Sequence, residues 1–320
     1  MLMKKILFIC VMIAPFMMQA QVQKTGKISN VTNLTRDGLR YENPRWSPDG
    51  GKIAFTELGY DNLYVMNADG TSRVQVSSAS GVGYMYQWSA DSKEILVRDT
   101  RWEDNASGLK RNHAIWAVDM TGKKVRMSED AEYMQPAAWR YSATGAKMIA
   151  APDAKPIVRH GLAGLSKSRT VKALAQPVNK VSFYVDGCNL YVVDVNGNKK
   201  LINEGESFCP SLSPNGKKVA FNQMNNVCVM NIDGSGKTMI GRGFNPVWVN
   251  DTQIVFERTQ DDGHVYTSGE LYIANVDGTG LKAITATEGM IEMCPSISPD
   301  GKKIVFSSFS DGQIYIADFE

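Results

Sequence analysis

The stretch NPRWSPDGGKIAF, residues 43–55, returns as CPSLSPNGKKVAF at 209–221 and as CPSISPDGKKIVF at 294–306. Looser copies are MYQWSADSKEILV (85–97), AWRYSATGAKMIA (138–150) and the one-residue-shorter NPVWVNDTQIVF (245–256). Six copies of one word in 320 residues, spaced unevenly from 36 to 71 residues, indicate a structural repeat on the scale of solenoids, propellers or arrays. The physics inside a copy is legible. A short strand enters at the Pro. Ser-Pro-Asp-Gly makes a turn, with Pro fixing φ and Gly taking the left-handed position. A β-branched strand such as KIAF or KIVF follows.

A second word completes the unit. It reads NADGTSRVQVS (67–77), NIDGSGKTMIG (231–241) and NVDGTGLKAIT (275–285), with a looser DVNGNKKLI (194–202). Gly236-Lys237-Thr238 suggests the end of a phosphate-binding loop, but Asn231 stands where that pattern needs its first Gly. A phosphate site does not recur four times along a chain, and a hairpin does. Each copy follows an alternating apolar run and precedes a shorter one, so Asp-Gly marks a tight turn between antiparallel strands.

Two strands around the first word and two around the second give four antiparallel strands per copy, which is a propeller blade. The mature chain shows no convincing helical period. The last copy stops at GQIYIADFE, after its third strand, and the missing fourth strand stands at the other terminus, within GKISNVTNLTRDG (26–38). The expected fold is all-β: a six-bladed β-propeller of four-stranded antiparallel blades, its N-terminal strand completing the C-terminal blade. Seven blades is the alternative, with the long third copy holding a degenerate extra blade.

Residues 1–20 read as a signal peptide: Lys4 and Lys5, an apolar run from Ile6 to Met18 too short to span a bilayer, and Ala20 before a polar start. Residues 21–320 then form a single propeller domain, exported and periplasmic, with secretion or an outer-surface location as alternatives. Removing residues 1–20 takes away two Lys and no acid, which leaves the 33 acidic residues matched by as many basic ones. That balance gives no argument for nucleic acid or an anionic membrane. No other run is long enough for a transmembrane segment.

The paired words, NPRWSPDGGKIAF followed by LYVMNADGT, resemble the TolB-like propeller family, relatives of the WD-repeat proteins. The resemblance covers residues 26–320. Its namesake is a periplasmic partner in an envelope system, with an α/β domain ahead of its propeller; that front domain is not expected here. The resemblance implies use of the propeller as a docking platform. It also touches the propellers that cap prolyl oligopeptidase-type hydrolases. The nearest approach to their G-x-S-x-G elbow, Gly164-Leu165-Ser166-Lys167-Ser168, lacks the final Gly.

Chemistry-bearing clusters are sparse. His113, His160 and His264 fall in loops of different copies without metal-ligand spacing. Asp49, Asp69, Asp233, Asp277 and Asp300 read as turn residues. The segments 99–107 and 259–270 read as wet loops between second and third strands. Trp46, Trp88 and Trp248 share one repeat position and suit blade-to-blade packing, with Tyr141 in that place in the third copy. Trp102, in a charged segment, is the better exposed contact or sugar platform. Cys188, Cys209, Cys228 and Cys294 are expected as free thiols, because Cys209 and Cys294 hold equivalent positions two blades apart.

The irregular segment 155–180 carries Lys155, Arg159, Lys167, Arg169, Lys172 and Lys180 and no acid. It reads as a basic insertion between the second and third strands of the third copy: a surface loop, or a docking arm for an acidic partner. The funnel-entry positions are Asn43, Met85, Ala138, Cys209, Asn245 and Cys294, all uncharged. The reading is an exported, non-catalytic scaffold that docks an envelope or periplasmic protein, as a monomer and without cofactor or metal. The partner-binding candidates are Asn43, Asn245, Trp102, Arg159, His160, Lys167, Arg169 and Lys172. The alternative is a propeller that binds or degrades a glycan, which needs acids, His or aromatics converging on the funnel.

Overall fold

The computed structural model describes residues 28–105, 108–134, 138–141, 147–150, 181–194 and 198–320. It is an all-β, six-bladed β-propeller. Blade one is built from Tyr41–Trp46, Lys52–Glu57, Asp61–Asn67 and Val74–Ser77, each antiparallel to the next. Blade two follows with Gln87–Trp88, Glu94–Asn105, Gly108–Asp119 and Lys124–Arg126. Blades four and five repeat the same order, beginning at Ser207–Leu212 and Phe244–Asn250. In blade six, Glu292–Ile297, Lys303–Ser308 and Gln313–Phe319 are joined by Ile28–Asn33 from the other end of the chain. The pairs Ile28↔Phe319 and Asn33↔Tyr315 close the ring, as the sequence predicts.

The third copy differs from expectation. Its first two strands, Ala138–Tyr141 and Lys147–Ala150, form a two-stranded ladder. The strand Asn189–Val193, expected to continue from them, pairs instead with Ser182–Asp186, a strand the repeat words do not announce. Lys199–Asn203 completes that three-stranded sheet. The reason is local: Asp186-Gly187 gives Ser182–Asp186 a hairpin turn into the next strand. The basic segment 155–180 lies outside the described residues.

Among the described residues, six apolar clusters pack neighbouring sheets together. Ala54, Val65, Ile95 and Val97 join blades one and two, and Leu96, Ile115, Met134 and Trp139 join blade two to the third copy. Leu190, Ile202, Val219 and Phe221 join the three-stranded sheet to blade four. Ala220, Val229, Ile254 and Phe256 link four to five, and Val255, Ile273, Ile304 and Phe306 link five to six. Tyr41, Phe55, Val305 and Ile314 close six onto one. Successive side chains of a strand point to opposite faces, so each second strand serves two clusters. Burying such side chains supplies about 1.5–3 kcal/mol each relative to exposure.

The two repeat words are turn devices. Ser47 Oγ donates to Asp49 Oδ1 at 2.7 Å and accepts the Lys52 N–H at 2.9 Å. Ser298 repeats both contacts with Asp300 and Lys303. In the second word Asp233 Oδ1 accepts the N–H and the hydroxyl of Ser235, as Asp69 does from Thr71 and Asp277 from Thr279. NIDGSGK is therefore a hairpin, and Lys237 is engaged with Asn203 Oδ1 and Gln223 rather than left free for a phosphate.

Trp88 Nε1 donates to the Arg45 carbonyl of blade one, and Trp248 Nε1 to the Ser211 carbonyl of blade four. These indoles staple neighbouring inner strands. In the third copy the equivalent bond, to the Gln87 carbonyl, comes from Trp139, which stands two residues before the repeat position of Trp88 and Trp248.

The segments read as wet loops are largely strand. Glu94–Asn105 and Gly108–Asp119 form one long hairpin, and Gln253–Asp261 with Tyr266–Asn275 forms another. Trp102, 56% exposed, stands on the first of these arms beneath the Arg111 guanidinium. His113 is not a loop residue. It is buried in the same hairpin, with Nδ1 3.0 Å from Thr100 Oγ1. Burial, then the nearby Arg98 and Arg111, push it down to about 4.

Candidate functional site

The six funnel-entry positions meet. Asn43, Met85, Ala138, Cys209, Asn245 and Cys294 all line one axial cavity of about 480 Å³. Five of them have positive φ, between 50° and 56°: Asn43, Met85, Cys209, Asn245 and Cys294. In four copies the next residue is Pro, which has no N–H for the ladder. The strand register slips there in each of those four copies, between Glu42 and Arg45, Phe208 and Ser211, Phe244 and Val247, and Met293 and Ser296. Each of these four inner strands thus carries a β-bulge at the funnel mouth, and a bulge re-aims the side chains around it.

The residues just ahead of these four bulges, and Tyr84 ahead of the equivalent Met85, line a second cavity. Glu42, Tyr84, Phe208, Phe244 and Met293 line a space of about 450 Å³ at the mouth, shared with Tyr60, Glu257, Tyr266 and Phe309. Tyr60 and Tyr84 meet edge to face at 5.9 Å, and Tyr266 and Phe309 at 5.2 Å. Tyr60, Tyr84, Phe208 and Tyr266 each keep more than a third of their surface exposed. The Arg98 guanidinium lies 4.8 Å from the Tyr84 ring centre, and Arg40 lies 5.5 Å from that of Phe309.

Two carboxylates belong to this mouth. Glu257 is 2% exposed. One of its oxygens accepts from Asn245 Nδ2 at 3.0 Å, and the other accepts the Cys294 backbone N–H. Burial outweighs both bonds and raises it to about 7. Glu42 Oε1 accepts the N–H groups of Gly59 and Tyr60, at 2.9 and 2.8 Å, and burial still pushes it up. Burial, and after it the charge of Glu257, raises the Cys294 thiol well above its ordinary range.

The uncharged funnel-entry positions therefore sit beside acid and aromatic side chains that the repeat alignment did not bring together. Asn43 and Asn245 are at the mouth: Asn43 Nδ2 donates to the Gly83 carbonyl at 2.7 Å, and Asn245 belongs to both cavities. Trp102 is on the blade-two arm. Arg159, His160, Lys167, Arg169 and Lys172 lie outside the described residues. The residue one before each entry position was the available signal, since Tyr84, Phe208 and Phe244 repeat an aromatic there. Glu257 had a weaker one, as the residue after the second-strand Phe. Cys188, Cys209, Cys228 and Cys294 are free thiols. Among the described residues, no helix is long and apolar enough to cross a membrane.

No family model matches this chain. A segment of 74 residues is 36% identical to the Tol-Pal system protein TolB of Alcanivorax borkumensis, covering 22% of this chain and 17% of that protein. A segment of 125 residues is 31% identical to the protein TolB homolog of Chlorobium luteolum, covering 35% of this chain and 26% of the other. The chain thus matches about a quarter or less of the length of either relative. Among solved structures, a putative TolB from Agrobacterium tumefaciens superposes with a TM-score of 0.54 at 18% identity, over 91% of this chain and 97% of that one. A gluconolactonase from Xanthomonas campestris gives 0.54 at 10% identity, over 91% and 89%. At these identities the superpositions speak for the fold alone. The class is a six-bladed β-propeller. Parts of its repeat array are similar in sequence to TolB proteins.

Proposed function

We propose that this protein is an exported, non-catalytic propeller that docks another envelope protein at the bulged mouth of its funnel. One observation carries the reading. Aromatic side chains and two carboxylates from blades one, two, four, five and six converge on a single open cavity. Rigid aromatic anchors in a concave, partly desolvated site are the usual centres of binding energy in protein recognition. The long hairpins of blades two and five rise around the same face, because second-to-third-strand turns and bulges share that end of each blade. Similarity to a Tol-Pal system protein supports an envelope setting.

Cross-linking in cells and affinity purification of the tagged protein test this, with wild type beside a Tyr60→Ala/Tyr266→Ala variant and a version lacking residues 157–178. A discrete envelope protein should be captured by wild type and lost with the aromatic pair. Loss only with the deletion moves the site to the basic insertion. Equal capture by all three refutes the mouth as the docking surface.

The same cavity favours a second reading. Aromatic faces beside carboxylates also bind sugars, by stacking and hydrogen bonding. Saturable binding on a glycan array, with no protein captured, would select it.

A further inference from the structure

The chemistry of the mouth cavity goes further than its shape. Glu257 is almost completely buried, and its two oxygens meet only neutral donors, Asn245 Nδ2 and the Cys294 N–H. Among the described residues no Lys or Arg forms an ion pair with it. An ionised carboxylate out of water without a counter-charge is costly, and a cation that reaches it recovers that cost. Ser308 lines the same cavity, and among the described residues its buried Oγ has no hydrogen-bond partner. It is a waiting acceptor, in a protein interior where buried polar groups are normally satisfied. Arg40, the cavity's own cation, is turned to the Phe309 carbonyl and ring at the rim. The Tyr60 and Tyr266 rings form part of the wall, and the Tyr84 ring beside them already carries Arg98. Aromatic faces attract a cation through their quadrupole, most strongly where water is excluded.

We infer that the mouth cavity is a receptor for the ammonium group of a lysine side chain that projects from the partner protein. The inference rests on the docking reading of this face. An ammonium brings three donors and one positive charge, which match the Glu257 carboxylate, the Ser308 hydroxyl and the aromatic wall together. A carboxylate ligand would meet repulsion from Glu42 and Glu257, and a purely apolar one would leave Ser308 unpaired. The lysine stem packs on the rings while its head reaches the acid.

The test uses the purified protein and two N-acetylated, C-amidated pentapeptides, Gly-Gly-Lys-Gly-Gly and the same peptide with norleucine in place of lysine, titrated by NMR. The expected result is saturable binding of the lysine peptide with a Kd roughly tenfold below that of the neutral one, the size of one desolvated cation–aromatic contact. Glu257→Gln should erase that ratio, and Ser308→Ala should reduce it. Should Glu257→Gln fail to fold, Ser308→Ala and Glu42→Gln decide. Equal affinities, no saturable binding of either peptide, or a lysine preference that survives in the folded variants would each overturn the inference. A partner captured through Tyr60 and Tyr266 by a protein with no lysine preference would leave the docking reading standing and remove this one.

Discussion

The carboxylate of Glu257, on the second strand of blade five, accepts the backbone N–H of Cys294, at the bulge of blade six. Its other oxygen holds Asn245, at the bulge of blade five. One side chain thus pins two neighbouring bulges at the funnel mouth. Removing it leaves a buried N–H without an acceptor, which costs about 1–3 kcal/mol. Glu257→Ala should lose that much in urea unfolding at neutral pH. Glu257→Gln should lose less, since an amide carbonyl can still accept one of the two bonds. Equal losses would show that the acceptor does not matter.

Glu292 makes stability depend on pH. It is fully buried on the innermost strand of blade six. Burial, then the neighbouring Glu270, raises it to about 8 from an ordinary 4.5. The folded protein therefore holds this proton more tightly than the unfolded chain does. The stabilisation is fully present below the ordinary value and is lost as pH rises through about 8. Thermal melts should shift downward across that window. Glu292→Gln should flatten the profile, with a gain on the order of 2 kcal/mol at pH 9. An unchanged slope in the variant would refute the assignment.

Ring closure predicts a third result. Ile28–Asn33 supplies the outer strand of blade six, and the Leu34 N–H extends the bonding to the Ile314 carbonyl at 2.8 Å. Deleting residues 28–33 exposes the edge of Gln313–Phe319, and unpaired edges invite association. The melting temperature should fall by about 10 °C or more, since each lost kcal/mol shifts a chain of this size by a few degrees. Light scattering should report self-association. An unaltered melt would mean that the strand does not close the ring.

The thiols should separate by exposure. Cys188 is exposed, whereas Cys228 is fully buried. A thiol reagent should modify Cys188 in the native protein within minutes. Cys228 should react only on the timescale of unfolding. Mass mapping after a short pulse distinguishes them, and equal labelling would contradict the packing between blade four and its neighbour.

The repeat, the blade count and the closing strand were legible in the sequence because each rests on local chemistry. Ser47, Asp49 and Gly50 make their turn from within one short segment, and the same is true of Asp233 and Ser235. Strand alternation is equally local, so the faces that pack between blades follow from it. The third copy was harder to read, because Ser182–Asp186 is a strand without its turn word. The Trp139 staple was missed for a similar reason, standing two residues away from the repeat position that Trp88 occupies.

The sequence by itself determined what neighbouring residues settle among themselves: hairpins, blades and the uncharged entry to the funnel. Only the tertiary structure decided what surrounds that entry. Glu42, Tyr84 and Phe208 are far apart in the chain and each stands one residue before its entry position, whereas Glu257 and Tyr266 come from other places in blade five. They meet because ring closure brings several blades to one axis, and because a left-handed bulge at Asn43, Cys209, Asn245 and Cys294 turns each preceding side chain toward the mouth. A bulge appears in sequence as nothing more than a residue before Pro, so its effect on direction becomes visible only when the blades stand side by side.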